Sequence, residues 1–225
     1  WGSLARKLAH EIKNPLTPIQ LTIDRIKNKF SNDLSSNDQH DFKNNLKIIN
    51  NQIKQIENLV NEFSDFARMP KPLMKENNLN NIINNNIKLL NKLNNKIQIK
   101  FTTNKNKDIF FLCDLEQMNR VIFNLIKNSI DSISEKYLKN TDFKGLINIE
   151  IFKRNEYIGI IIIDNGTGFK NKKKEELIKP YFTTKKNGSG LGLSIVNKII
   201  TDHNGVIKFS NYNDGAKIQI NFNLN

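Results

Sequence analysis

The first third of the chain has its apolar residues three and four positions apart, the spacing of one face of a helix. In residues 1–30 this apolar stripe consists of Leu4, Leu8, Ile12, Leu16, Ile19, Ile23, Ile26 and Phe30. A second stripe follows a polar break at residues 31–38 and consists of Phe42, Leu46, Ile49, Ile53, Ile56, Val60, Phe63 and Phe66. We therefore predict a hairpin of two amphipathic helices in residues 1–67. Because one hairpin cannot bury both stripes, we expect it to dimerise into a four-helix bundle.

The pattern changes after Pro70 and Pro72, since two prolines so close together cannot continue a helix. We predict a linker at residues 68–76 and a second domain at 77–225. In this domain the periodicity predicts helices at 79–93, 114–137 and 191–203 and strands at 97–103, 109–113, 147–154, 157–164, 206–210 and 216–222. A Lys- and Gly-rich loop is expected at 166–190. Helices mixed with such strands predict an α+β sandwich.

The composition excludes several classes of protein. Cys113 is the only cysteine, so a disulfide framework and a cysteine-based metal site are excluded, as suits a reducing compartment. No stretch approaches the about 20 apolar residues of a membrane span. We expect a cytoplasmic location, with membrane attachment only through regions absent from this chain. The net charge of +13 is scattered Lys accompanied by Asn and Ile, which favours a codon bias over nucleic-acid binding.

The first candidate for chemistry lies on the first helix. At about 100° per residue, His10 falls roughly opposite the apolar stripe, and Asn14 and Thr17 share its outward face. Glu11 follows the histidine directly, and Pro15 is expected to interrupt the helical hydrogen bonds nearby. A coiled-coil spacer is the alternative interpretation of the hairpin, but it leaves this cluster unexplained.

A pair of asparagines marks the long helix of the second domain. Asn124 and Asn128 are four residues apart and share one helix face, with Lys127 nearby. An amide oxygen is a suitable ligand for Mg²⁺, which usually shares its oxygen ligands with substrate phosphates. Ordinary polar helix surface is the alternative.

Two glycine-containing segments complete the candidates. Asp164 ends an apolar strand and precedes Gly166 and Gly168; its carboxylate could accept a hydrogen bond from an exocyclic amine, or the segment could be a simple turn. A later run, Gly188-Ser189-Gly190-Leu191-Gly192, opens a helix and could bind an anion through its backbone N–H groups. It matches neither a Walker A motif nor a Rossmann fingerprint. The aromatic and hydroxyl residues at 179–185 could anchor a mobile lid.

The order of these clusters resembles the core of the sensor histidine kinases of two-component signalling. Residues 10–15 resemble the H box, 124–128 the N box, 164–168 the first glycine box, 181–185 the F box and 188–192 the second glycine box. Residues 9–21 are most similar to the NtrY-type nitrogen-regulation sensors.

The resemblance implies a dimeric phosphoacceptor bundle followed by a Bergerat-type ATP-binding sandwich. It implies that His10 is phosphorylated, that Glu11 orients or deprotonates it, that Asn128 holds Mg²⁺ beside Asn124, and that Asp164 binds the adenine amine. The remaining nucleotide-site residues it implies are Lys127, Gly166, Gly168, Phe182, Thr183, Thr184, Lys185, Gly188, Gly190, Leu191 and Gly192. The chain departs from many members at Asp131, where they carry Lys or Arg; Lys127 is a candidate substitute for that charge.

The expected function is ATP-dependent autophosphorylation of His10 and transfer of the phosphoryl group to an aspartate of a response regulator receiver domain. The spacing of Glu11 and Asn14 also resembles that of kinases that dephosphorylate their regulator. One alternative is a gyrase-like or chaperone-like ATPase, in which a Glu at the position of Asn124 activates water; an amide cannot accept that proton. The other is a dimeric binding module without catalysis.

Overall fold

The computed structural model describes residues 2–30, 36–67, 69–93, 97–104, 107–138, 142–170, 172–183 and 190–224. The chain divides into a helical unit and a sheet-containing unit, with the boundary between Pro70 and Lys71. None of the helices in these described ranges combines the length and apolarity that a membrane crossing needs.

The helical unit is the predicted hairpin, with α1 at Gly2–Phe30 and α2 at Ser36–Ala67. Its core is formed by residues seven apart on each helix, with Phe42 packed against them: Leu16, Ile23, Leu46 and Ile53. Beside this core, Gln20 Nε2 donates a hydrogen bond to Asn50 Oδ1 at 2.8 Å. The two helices thus bury only part of each predicted stripe.

The rest of the two stripes forms a second apolar row, which we call the exposed seam. Its members also recur every seven residues and are 37–45% exposed: Ile12, Ile19, Ile26, Ile49 and Ile56. The single stripe predicted on each helix is therefore two adjacent seams, of which one packs within the hairpin. A 3.5-residue repeat of this kind is the pattern of helical bundles.

Helix α1 is continuous through Pro15 and Pro18, and the prolines interrupt only its backbone hydrogen bonds. Each proline lacks an N–H, so the carbonyls of Glu11 and Asn14, four residues earlier, lose their α-helical donors. Further along, the Thr22 hydroxyl donates to the Pro18 carbonyl at 2.8 Å. The helix continues because its inward face is packed before the prolines at Ala9, between them at Leu16 and after them at Ile23.

The sheet-containing unit is an α+β sandwich, as predicted. Its elements are β1 Lys75–Asn78, α3 Leu79–Leu93, β2 Ile97–Thr103, β3 Phe110–Cys113, α4 Leu115–Tyr137, β4 Gly145–Lys153, β5 Tyr157–Asp164, α5 Lys174–Leu177, α6 Gly192–Asp202, β6 Gly205–Tyr212 and β7 Gly215–Asn223. The five-stranded sheet has the order β2-β4-β5-β7-β6. Its first pair is parallel and the others are antiparallel.

The core of this unit lies between one face of the sheet and the helices α3, α4 and α6. A row of isoleucines crosses the sheet through directly paired positions, Ile151 with Ile160, Ile160 with Ile220 and Ile220 with Ile207. Each of these four side chains is at most 1% exposed. Their burial fixes the register of β5, and with it the position of Asp164 at its end.

The sequence did not predict two short elements. β1 begins at Lys75, inside the predicted linker of residues 68–76, and pairs with β3, Lys75 opposite Cys113 and Asn78 opposite Phe110. Its sequence, Lys-Glu-Asn-Asn, has no apolar alternation that would indicate a strand. In the loop predicted for 166–190, α5 is a single helical turn, Lys174–Leu177, which is too short to produce a periodic signal.

Candidate active site

His10 lies on the outer surface of the helical unit. Its neighbour Ala9 is buried, whereas His10, Glu11 and Asn14 are all exposed on α1. Consecutive helical residues diverge by about 100°, so Ala9 faces inward while His10 faces solvent. This face presents an imidazole, a carboxylate and an amide within about two helical turns.

Helix α4 supports the nucleotide-site candidates of the sheet-containing unit. Its first turn is capped by Asp114, whose carboxylate accepts hydrogen bonds from the backbone N–H groups of Gln117 at 2.9 Å and Leu73 at 2.8 Å. Burial opposes ionisation of this carboxyl, but the backbone donors outweigh burial and hold the Asp114 pKa below its ordinary value. A charged cap at a helix N-terminus stabilises the helix.

The N-box residues lie in the middle of α4. Asn124 and Asn128 are half-buried. They lie beside the helix face that packs Leu125 and Ile126 into the core. The Asn124 amide oxygen lies 3.7 Å from the place that a Cβ on Gly192 would occupy, so the first residue of α6 approaches the N box closely. Lys127 is 53% exposed and pairs with Asp131 at 3.5 Å, an exposed ion pair of small energetic weight.

Asp164 is the most constrained carboxylate of this region and is only 5% exposed. Its Oδ1 accepts from the N–H groups of Gly166 at 2.9 Å and Ala216 at 3.3 Å. Its Oδ2 accepts from the hydroxyl of Ser129 at 2.9 Å. Ser129 directly follows Asn128, the second asparagine of the N box. Burial raises the pKa of the Asp164 carboxyl above its ordinary value, and the hydrogen bonds offset only part of that effect.

The first glycine box is held against α4 by further contacts. Ser132 Oγ accepts from the Thr167 N–H at 2.9 Å, and Lys136 Nζ donates to the carbonyls of Asn165 at 3.1 Å and Gly166 at 3.3 Å. A Cβ on Gly166 would collide with Ser132 Oγ. Gly168 has a φ of +65°, which a residue with a side chain rarely adopts. Glycine is therefore required at position 166 by the lack of space for a side chain and at position 168 by the backbone conformation.

The segments expected to form the lid are described only in part. Phe182 is half-buried, with Lys172 Nζ 5.5 Å from the centre of its ring, and Thr183 is exposed. Tyr181 has a left-handed φ of +65°, which costs a residue with a side chain about 1–2 kcal/mol. Gly190 also has a positive φ of +71°, and Leu191 is buried. The predicted site residues Thr184, Lys185 and Gly188 lie outside the described residues.

The structure thus gathers one set of predicted site residues around α4. Asn124 meets Gly192, and Asp164 and the first glycine box are bonded to the turns of α4 that follow Asn128. Sequence reasoning missed the residues that make those bonds, Ser129, Ser132 and Lys136. A signal existed, because Ser132 and Lys136 continue the four-residue spacing of Asn124 and Asn128 along one helix face.

Two family models match the chain. The model of the histidine kinase-, DNA gyrase B- and HSP90-like ATPases matches residues 113–225. The His Kinase A phospho-acceptor domain matches residues 1–72.

The chain belongs to the sensor histidine kinases.

The phospho-acceptor match separates this kinase from the gyrase-like and chaperone-like ATPases, which share only the nucleotide-binding fold. The kinase therefore carries an ATP-binding domain of the histidine kinase type, and the alternative of a module without catalysis is not supported.

Relatives confirm the predicted NtrY-type resemblance. The chain is 38% identical to an NtrY-like sensor histidine kinase of Rickettsia bellii over 100% of its own length and 35% of the relative. It is 34% identical to the nitrogen regulation protein NtrY of Azorhizobium caulinodans, again over 100% of its length, covering 28% of that protein. The chain therefore spans about a third of the length of the curated relatives it matches.

Solved structures agree with the fold. The histidine kinase ThkA, in a crystal structure with the response regulator protein TrrA, matches with a TM-score of 0.70 and 27% identity, over 100% of this chain and 62% of ThkA. The catalytic domain of ThkA alone matches with a TM-score of 0.59 and 29% identity, covering 67% of this chain and 95% of that domain.

Proposed function

We propose that the kinase uses ATP to phosphorylate His10 and then passes the phosphoryl group to an aspartate of a response regulator. The observation that carries the proposal is that one chain combines an outward-facing histidine on a phospho-acceptor helix with a nucleotide-binding domain whose Asp164 is buried and oriented. Asn124 favours transfer of the phosphoryl group to a side chain over hydrolysis of ATP, because an amide cannot take the proton of an attacking water.

The proposed step is a direct phosphoryl transfer to the imidazole ring. A neutral histidine has one ring nitrogen with a free lone pair. That nitrogen forms a bond to the γ-phosphorus, the bond between this phosphorus and the bridging oxygen breaks, and ADP leaves with the electron pair. The proton of the other ring nitrogen is accepted by Glu11 or by solvent. Exposure of His10 leaves the ring accessible for this transfer.

The residues of α4 fit a magnesium ion shared with the nucleotide phosphates. Asn128 would supply an amide oxygen, with Asn124 one turn before it and Lys127 directly before it in the sequence. Among the described residues no group of three or more His, Cys, Asp or Glu side chains is placed to hold a metal ion, so this site would take most of its ligands from phosphate and water. The ion would neutralise charge that develops during transfer.

The exposed seam supports a homodimer. Five isoleucines at heptad spacing, each more than a third exposed, form a continuous apolar row along both helices of the hairpin. A second copy of the hairpin would cover this row with the same row, which completes a four-helix bundle. The seam leaves His10 free, because Ile12 points about 200° around the helix from it.

The exposed Asn14 supports a second activity, removal of the phosphoryl group from the regulator. Asn14 lies one helical turn after His10 on the same exposed face, and an amide can both accept from and donate to a water without acting as a nucleophile. A receiver domain docked on this face would bring its phosphoaspartate to a water held by Asn14. The similar kinase ThkA has been crystallised in complex with a response regulator protein, which supports a regulator as the partner proposed here.

Incubation with γ-labelled ATP and Mg²⁺ tests the proposed function. Label should enter the protein, be released by acid and withstand alkali, as a phosphoramidate does. His10→Gln should abolish it. His40→Gln is the matched control, since His40 is also an exposed helical histidine of the hairpin, and it should label normally. Acid-stable label, or label retained in His10→Gln, would overturn the assignment.

A further inference from the structure

The hydrogen bonds to the Asp164 carboxylate leave one of its lone-pair positions available, and they show on which oxygen it lies. A carboxylate has about four lone-pair positions, two on each oxygen. Gly166 and Ala216 occupy both positions on Oδ1, and Ser129 occupies one on Oδ2. Among the residues that the structure describes, these are the donors that reach the carboxylate. The remaining position therefore lies on Oδ2, the oxygen that Ser129 holds.

We propose that Ser129 is a positioning residue for the nucleotide base, because its hydroxyl aims the last acceptor position of Asp164 at the exocyclic amine of adenine. This inference rests on the proposed nucleotide site and deepens it. The Ser129 side chain does not touch the base; it acts through the carboxylate. The backbone donors hold Oδ1 and the Ser129 hydroxyl holds Oδ2, and together they fix the rotation of the carboxylate about its Cβ–Cγ bond.

The burial of the pair makes this arrangement rigid. Ser129 is 2% exposed and Asp164 is 5% exposed, so water cannot readily replace the hydroxyl. A hydrogen bond to a buried charged acceptor is stronger than one between neutral groups. The Ser129 hydroxyl also favours the ionised carboxylate, and it therefore opposes the rise of the Asp164 pKa that burial causes.

Two further turns of α4 keep the chain after Asp164 in place. Ser132 holds the N–H of Thr167, and Lys136 holds two carbonyls of the same loop while lying 4.8 Å from the ring centre of Phe143. Because the loop is anchored independently, removal of the Ser129 hydroxyl should disturb the aim of Asp164 without releasing the glycine box. This separation makes the role of Ser129 testable by itself.

The test compares ADP with purine riboside diphosphate, which lacks only the 6-amino group. Isothermal titration calorimetry on the full chain with Mg²⁺ should show that Ser129→Ala binds ADP about tenfold more weakly, as expected for loss of a hydrogen bond to a charged group. Its affinity for purine riboside diphosphate should stay within about twofold of wild type. Ser129→Thr keeps the hydroxyl and should keep the preference for ADP.

Ser134→Ala is the matched control, since Ser134 lies on the same helix and its hydroxyl does not reach Asp164. Its affinities for both nucleotides should be unchanged.

The pH profile of ADP binding gives a second readout. Weakening of ADP binding toward acid should begin at a higher pH in Ser129→Ala, because the carboxylate has lost a donor. Equal losses for both nucleotides, or an unchanged ADP preference in Ser129→Ala, would overturn the positioning role and leave the kinase assignment standing. Failure of wild type to bind either nucleotide would instead overturn the proposed site.

Discussion

Replacing Asp164 with asparagine should separate nucleotide binding from folding. Asparagine has the same shape, and its oxygen can accept from the N–H groups of Gly166 and Ala216 while its NH₂ donates to the Ser129 hydroxyl, which can rotate to accept. The fold should therefore survive. The adenine amine would then face a donor instead of an acceptor, at a cost of about 1–3 kcal/mol, or about 5- to 150-fold in affinity.

The same substitution should not reduce stability at neutral pH. The Asp164 pKa is raised above its ordinary value of 3.8 by burial, so between the unfolded and folded pKa values the folded chain holds a proton that the unfolded chain has released. Stability contributed by this group therefore falls as the pH rises through that window. Asparagine has no charge to bury, so Asp164→Asn should melt at or above wild type at pH 7, and this difference should shrink toward pH 4.

Calorimetry measures both effects, by titration with ADP and by thermal scans at the two pH values. Glu116→Gln is the control, an exposed carboxylate in the first turn of α4 that should change neither quantity much. ADP affinity equal to wild type in Asp164→Asn would place the adenine site elsewhere. A variant that melts well below wild type at pH 7 would refute the reasoning about burial.

Three further outcomes test other parts of the molecule. Ile19→Lys on the exposed seam should convert the dimer to a monomer in analytical ultracentrifugation, whereas Leu21→Lys, 54% exposed and off the seam, should not; a monomeric wild type at micromolar concentration would contradict the bundle. Asn14→Ala should slow dephosphorylation of the regulator while autophosphorylation continues, with Asn28→Ala as the exposed control on α1, and equal loss of both activities would assign Asn14 to helix shape alone. Asp114→Ala should lower the unfolding free energy by about 1 kcal/mol through loss of the cap. Because the pKa of Asp114 is lowered in the folded chain, the difference in stability between wild type and variant should hold above about pH 5 and decline as the pH falls below about 4. A difference in stability that grows in acid would contradict this prediction.

Periodicity predicted the long elements well because each has an apolar face that must be buried. α3 and β5 have the bounds the pattern indicates, and Asp114 is the cap immediately before α4. β1 could not be predicted, because it is held by pairing with β3 and not by apolar side chains of its own. The division of each helical stripe into a buried and an exposed seam depends on which partner helix covers it, and one sequence does not state that. For this reason Ile53, which the pattern places on the same stripe as Ile56, proves to be a core residue of the hairpin.

The candidate site was likewise predictable only where the residue types themselves give a signal. Asp164 and the asparagines of α4 could be named from sequence because carboxylates and amides stand out beside apolar runs and glycines. Ser129 could not, since a serine inside a helix is usually silent and its role arises only when β5 brings Asp164 to within 2.9 Å of its hydroxyl. The roles of all the sequence-predicted site residues remain predictions, and Thr184, Lys185 and Gly188 also lie outside the described residues.

The most direct test of the central proposal is to locate the phosphoryl group on the chain after incubation with Mg²⁺ and ATP. Tandem mass spectrometry on digests kept at alkaline pH preserves phosphohistidine. Phosphorylation is expected at His10, with His40 and the buried His203 unmodified. Phosphate on another residue, or release of inorganic phosphate without any modified peptide, would contradict it.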